Sequence, residues 1–131
     1  MPKYKYIAEF EINAAVKLIY SQISTPVGLK AWFAEDVKVH DDKKMDIVWD
    51  GVNHPANIVS WRTNHHIKYK FAPVGEEDSS STLEFRLEHS DMTQTTFLKV
   101  IDYSDMEDEE ELDDLWEGLV HSLKESLGDA S

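Results

Sequence analysis

The sequence predicts an α+β domain in which six or seven antiparallel strands form one sheet around a long C-terminal helix. Three observations carry this. The first residues alternate apolar and polar with a period of two. Short strand-like runs separated by turn residues then fill the middle of the chain. The C-terminal part bears a single apolar stripe at helical spacing. A sheet with one apolar face must cover it, and of the predicted helices only the last is long enough to do so.

Tyr4, Tyr6, Ala8, Phe10 and Ile12 alternate with Lys5, Ile7, Glu9 and Glu11, which is a half-buried strand with one imperfection at Ile7. Asn13 then offers an N-cap to a short helix over Ala14 to Ile23, burying Val16, Ile19, Tyr20 and Ile23. Thr25-Pro26 starts a second short helix. Thr25 is its cap and Pro26 its first residue, where a missing N–H costs nothing; Leu29, Trp32 and Phe33 give the apolar face, and the helix ends near Ala34.

Strands follow. Asp36 to His40 is the first, and the turn Asp41-Asp42-Lys43 leads to one with Met45, Ile47 and Trp49 on a single face. Asp50-Gly51 signals a type I′ hairpin, because both central residues need positive φ. A strand around Ala56 to Arg62 and a Thr63-Asn64 turn precede one with Ile67, Tyr69 and Phe71 facing opposite to His66, Lys68 and Lys70. Pro73 to Ser81 reads as a polar, mobile loop. Leu83, Phe85 and Leu87 alternate with Glu84, Arg86 and Glu88, and a last strand covers about Thr95 to Ile101. Leu112, Leu115, Trp116, Leu119, Val120, Leu123 and Leu127 then form one stripe on a helix over 107–127, with a capping box from Ser104 and Glu107 and a C-cap at Gly128.

The 131 residues amount to one domain, 1–131, with 41% apolar and 11% aromatic content, ordinary for a globular chain. Thirteen basic against twenty-six acidic residues give a net charge of −13. That field repels phosphate backbones and anionic headgroups, so neither nucleic acid nor membrane is expected as a partner. No cysteine is present, which removes thiolate chemistry and suits a reducing compartment. No apolar run spans a bilayer and no leader-like segment opens the chain, so a cytoplasmic monomer is expected.

The element order, together with Ser24-Thr25-Pro26-Val27-Gly28-Leu29-Lys30-Ala31-Trp32-Phe33-Ala34 and Thr82-Leu83-Glu84-Phe85-Arg86-Leu87, resembles the START-like (SRPBCC, Bet v 1-type) superfamily. Within it, these blocks resemble relatives of the activator of Hsp90 ATPase, in a stand-alone bacterial form of the Bacteroidetes kind. The resemblance implies a helix-grip fold with a hydrophobic cavity between sheet and last helix, in a family whose members bind lipids, sterols, polyketides or aromatic compounds. Gly118-Leu119 departs from the Gly-Trp pair of many relatives. The sequence also lacks the separate N-terminal domain of eukaryotic Hsp90 activators, so the co-chaperone role does not carry over directly.

The inward positions Trp49, Tyr69, Phe71, Phe85, Leu87, Leu98, Trp116, Leu119, Val120 and Leu123 either line such a cavity or fill the core. Tyr69 and Trp116 each need a polar partner if buried. His65 is in phase with Ile67, Tyr69 and Phe71, which makes it the candidate for the polar rim. His65 and His66 are adjacent on a strand and cannot chelate one ion together, and no metal or other cofactor is expected. Neither a nucleophile elbow nor a Gly-rich phosphate loop is present, so the chain reads as a binder; a cyclase or hydrolase is the enzymatic alternative.

Asp105, Glu107 to Glu111, Asp113, Asp114 and Glu117 exceed what a helix N-terminus requires. They read as a solvated face or as a docking surface for a basic protein or a loosely held divalent cation. The function expected is therefore the binding of a small hydrophobic molecule, a lipid, fatty acid or aromatic compound. The alternative is a protein-interaction or co-chaperone-like module with a vestigial cavity, acting through its acidic surface.

Overall fold

The computed structural model describes residues 4–72, 81–104 and 108–128. Its elements run β1 (Tyr4–Ile12), α1 (Val16–Ser24), α2 (Pro26–Trp32), β2 (Asp36–Asp41), β3 (Lys44–Trp49), β4 (Val52–Arg62), β5 (His66–Phe71), β6 (Ser81–Ser90), β7 (Thr95–Ser104) and α3 (Glu109–Leu127). All seven strands join one antiparallel sheet in the order β1-β7-β6-β5-β4-β3-β2. From β2 to β7 the chain is a meander. β1 then closes onto β7, with Ile7 opposite Ile101.

Turn chemistry sets the register. Asp50 and Gly51 take φ of 51° and 74°, the left-handed pair a type I′ hairpin requires between β3 and β4. Asn64 does the same between β4 and β5, with φ of 64°. β4 begins at Val52 and not near Ala56, because the hairpin pairs Trp49 with Val52 immediately and carries Pro55 within the strand. Residues 73–80 of the expected polar loop lie outside the described residues.

The helix caps depart from expectation twice. α1 is capped by Ala15 with no side-chain bond, so Asn13 stands two residues too early. α3 is capped by Asp108, whose Oδ1 accepts from the Glu111 N–H at 3.2 Å. Ser104 instead ends β7, and Glu107 lies outside the described residues. Either acid or hydroxyl can cap; the extra strand residues moved the helix start. At the other end Gly128 is the C-cap, with φ of 77°. α2 follows its sequence reading, Thr25 Oγ1 accepting from the Gly28 N–H at 3.0 Å with Pro26 in the first turn. It ends at Trp32, where Phe33 is the cap, not near Ala34.

α3 lies across one face of the sheet. Leu112, Trp116, Val120 and Leu123 are buried, a narrower stripe than the sequence suggests. Leu115 is 44% exposed and Leu119 and Leu127 are half-buried. The reason is angular: Leu115 and Leu119 fall on the helical flank of Ser122, which lines a cleft with α2, and of Ser126, which bonds Gln22 of α1, and not on the line of the four buried residues. On the opposite flank Asp113 accepts a 2.5 Å hydrogen bond from the Tyr6 hydroxyl of β1. Burial, reinforced by that carboxylate, pushes the Tyr6 hydroxyl up from its ordinary pKa.

Candidate functional site

Aromatic rings form a continuous cluster between α2, the sheet and α3. Phe33 sits edge-on to Trp49 at 4.9 Å between centroids and stacks on Trp116 at 6.0 Å. Phe85 meets Trp32 at 5.7 Å, Trp116 at 5.9 Å and Tyr69 at 6.5 Å. Trp49 continues the chain outward to His54 at 5.0 Å and Phe71 at 5.9 Å. Five of the rings expected on the inward face, Trp49, Tyr69, Phe71, Phe85 and Trp116, are thus brought together. Leu87, Leu98, Val120 and Leu123 join the same buried core, and Leu119 packs against its edge.

Each polar tip has a partner. The Tyr69 hydroxyl donates to the Ile23 carbonyl at 2.6 Å, and burial pushes its pKa up. Trp49 Nε1 donates to the Phe33 carbonyl at 2.6 Å, and Trp32 Nε1 to the Gln22 carbonyl at 2.8 Å. Trp116 Nε1 donates to Asp102 Oδ2 at 3.2 Å. Asp102 was hidden in the sequence by the assumption that the last strand stops at Ile101. Burial raises its carboxyl above the usual range, against the lowering effect of hydrogen bonds from Trp116 and Ser104.

The cluster reaches solvent in a wide, open cleft of about 340 Å³, lined by Lys30, Ala31, Trp32, Phe33, Ala34, Glu35, Trp49, Asp50 and Ser122. Trp32 and Phe33 are buried and Trp49 half-buried, so the floor is aromatic, while Lys30, Glu35 and Asp50 are exposed. A Glu35 carboxylate oxygen accepts from the Asp50 N–H, tying the end of α2 to the β3–β4 turn. Deeper in, Tyr69, Phe85, Leu98 and Leu123 have no solvent-accessible surface, so no water-sized void touches them. Trp32 and Phe33 were read in sequence only as a helix face; the adjacent pair in Ala31-Trp32-Phe33-Ala34 is the signal that could have found them.

Of the histidines only His54 meets the ring cluster, among the described contacts, against Trp49. His65 falls in the turn before β5 and is exposed, because β5 begins one residue later and strand alternation does not extend to it. His66 Nε2 lies 2.9 Å from Ser60 Oγ, on the face that carries Lys68 and Lys70. His89 Nδ1 lies 2.9 Å from the buried Thr96 Oγ1, and His40 contacts Asp46 at 3.1 Å. Among the described residues no group of three or more His, Asp or Glu side chains could hold a metal ion. No helix among them is long and apolar enough to cross a membrane.

Comparison with known proteins places this arrangement. The model of the START-like superfamily domain matches residues 1–129. A Bacteroides fragilis protein solved by solution NMR is 30% identical, with 96% of this chain and 92% of that one covered and a TM-score of 0.64. The solution structure of the Aha1 dimer from Colwellia psychrerythraea shares 19% identity over 95% and 96% of the two chains, with a TM-score of 0.77. CalU16 from Micromonospora echinospora shares 20% identity over 98% and 78%, with a TM-score of 0.71. Among curated proteins, none matches.

Proposed function

The chain belongs to the START-like superfamily, and on that premise we propose that it binds a small hydrophobic molecule, aromatic or lipid-like, between the sheet and α3. Its mouth is the cleft beside Trp49, and its setting the cytoplasm, where a chain without cysteine loses nothing to reducing conditions. The observation that carries the reading is the aromatic floor of that cleft. Trp49 meets solvent there with Trp32 and Phe33 buried just beneath, and the three run without a break into Phe85 and Trp116. Apolar walls with a few polar groups at the rim are what small-molecule sites are built from. Phe71, Leu87, Leu119, Val120 and Leu123 would form the wall behind the floor.

A second reading, an interaction module whose cavity has closed, is favoured by the inaccessible side chains of Tyr69, Phe85, Leu98 and Leu123. Nile red, a neutral apolar dye, separates the two. Saturable one-site binding, displaced by a long-chain alcohol, is expected of the parent protein. Ala31→Trp should abolish it, because Ala31 is exposed on α2 at the rim and an indole there fills the cleft. Stability should change by no more than about 0.5 kcal/mol, as for other surface substitutions. Absence of saturable binding by the parent would leave the interaction module as the function. Native mass spectrometry of the purified protein reads the same question through any co-purified molecule.

A further inference from the structure

The two edges of the sheet are built differently. β2 is six residues long, shifts register between Val39 and Asp41, and alternates Asp36, Lys38 and His40 along its length. Those are the ordinary devices against edge-to-edge pairing: shortness, irregularity and charge. β1 carries charge but neither shortness nor irregularity. All nine residues pair with β7 in unbroken register, and the strand contains neither proline nor bulge. Among the described residues its far side has no strand neighbour in the sheet. On the face turned from α3 it exposes Lys5, Ile7, Glu9 and Glu11, with Ile7 50% exposed.

We propose that β1 is a homodimer contact, at which two copies pair antiparallel about Ile7 to extend the sheet through both molecules. The sequence of the strand is self-complementary in this register. A two-fold axis at Ile7 sets Ile7 against Ile7 of the second copy, which removes an exposed aliphatic side chain from water. It sets Lys5 against Glu9 and Glu9 against Lys5, two opposite-charge pairs directly across the ladder. On the α3 side it places Tyr6 beside Ala8 and Tyr4 beside Phe10, large against small and ring against ring. Because the strand period is two, this register keeps each residue on the face it already occupies. Two molecules of charge −13 repel at long range, so the match must be local, and in β1 it is. The interface is isologous and therefore closes at two copies.

A charge exchange tests this on the intact chain. Lys5→Glu and Glu9→Lys are both exposed changes, and circular dichroism and melting should show both variants folded like the parent. The parent should sediment as a concentration-dependent dimer. Each variant alone places like charges opposite one another twice, and its dissociation constant should rise about tenfold or more. Mixed in equal amounts, the two variants again face Glu with Lys at every position. Native mass spectrometry should then show the heterodimer in preference to either homodimer. A parent that stays monomeric at submillimolar concentration overturns the proposal. So does a dimer that survives in both single variants, since it must use another surface.

Discussion

Asp102 is a carboxylate on the helix-side face of β7, flanked in register by Tyr6 and Leu83 and bonded to the indole of Trp116. Burial raises its pKa in the folded chain. An acid raised in this way is most compatible with folding when protonated. Its favourable share is complete below the unfolded pKa, near 4 for aspartate, and is lost as pH rises through the folded value. Asp102→Asn keeps an acceptor for Trp116 Nε1 and removes the charge. The parent should therefore lose stability relative to this variant as pH rises from about 4 through the raised folded value. Paired thermal melts across that range check it, and a constant difference would mean that the ionised form is not disfavoured. Trp116→Phe asks the converse question. It strands the carboxylate without its indole donor and should cost about 1–3 kcal/mol in chemical denaturation.

At the scale of elements, the α1–α2 junction is tightly packed at Gly28. A Cβ added at Gly28 would stand 2.3 Å from the Ser21 carbonyl oxygen and 2.6 Å from the Gln22 Cα, both backbone atoms. The helices must separate to admit it, pulling at the Trp32–Gln22 hydrogen bond. Gly28→Ala should thus lower stability by about 1–3 kcal/mol, the usual cost of overpacking, and shift the tryptophan emission. Leu119 offers the opposite test on α3. It is half-buried on the flank facing α2, so Leu119→Trp should be nearly neutral if space lies beside it and cost about 1–3 kcal/mol if the core there is full.

The elements themselves were largely legible in the sequence. Alternation at Tyr4 to Ile12, the Asp50-Gly51 turn and the Thr25-Pro26 start each rest on local chemistry, and each formed where that chemistry points. What stayed hidden depended on contacts between distant segments. Asp102 falls just beyond the strand that the sequence outlines, because a carboxylate at an inward position makes sense only opposite Trp116. Leu115 looked buried because seven apolar residues share a stripe, although the surface under α3 admits only its centre. Of the three rings at the cleft, Trp49 belongs to the inward face the sequence outlines, whereas Trp32 and Phe33 read there only as a helix face, and nothing reports their opening to solvent. The cleft is formed by α2 against the β3–β4 turn, and no period within either segment reports that meeting.

For the whole molecule, the charge of −13 acts against compactness. The acidic stretch at the start of α3 concentrates it: Asp108 caps the helix, Glu109 to Glu111 follow in the first turn, and Asp113 takes the Tyr6 proton donor. Raising the ionic strength from a few millimolar to about 0.15 M shortens the Debye length to about 8 Å and should raise the melting temperature at neutral pH. An unchanged melting temperature would show that the fold has already neutralised the field locally.

The closure of the sheet by β1 on β7 also fixes an order of events. β2 to β7 are joined hairpin to hairpin, so each can find its neighbour as soon as the two are made. β1 is synthesised before the other strands, yet its pairing surface, from Ser104 back to Thr96, emerges only after β2 to β6. During that interval its apolar face has no sheet to rest on. Long-range pairing of this kind is slow, since the loop must close before any ladder bond rewards it. In refolding with pulsed hydrogen exchange, the β3–β4 amides should gain protection before those of β1. The first strand of the sheet is the last to take its place.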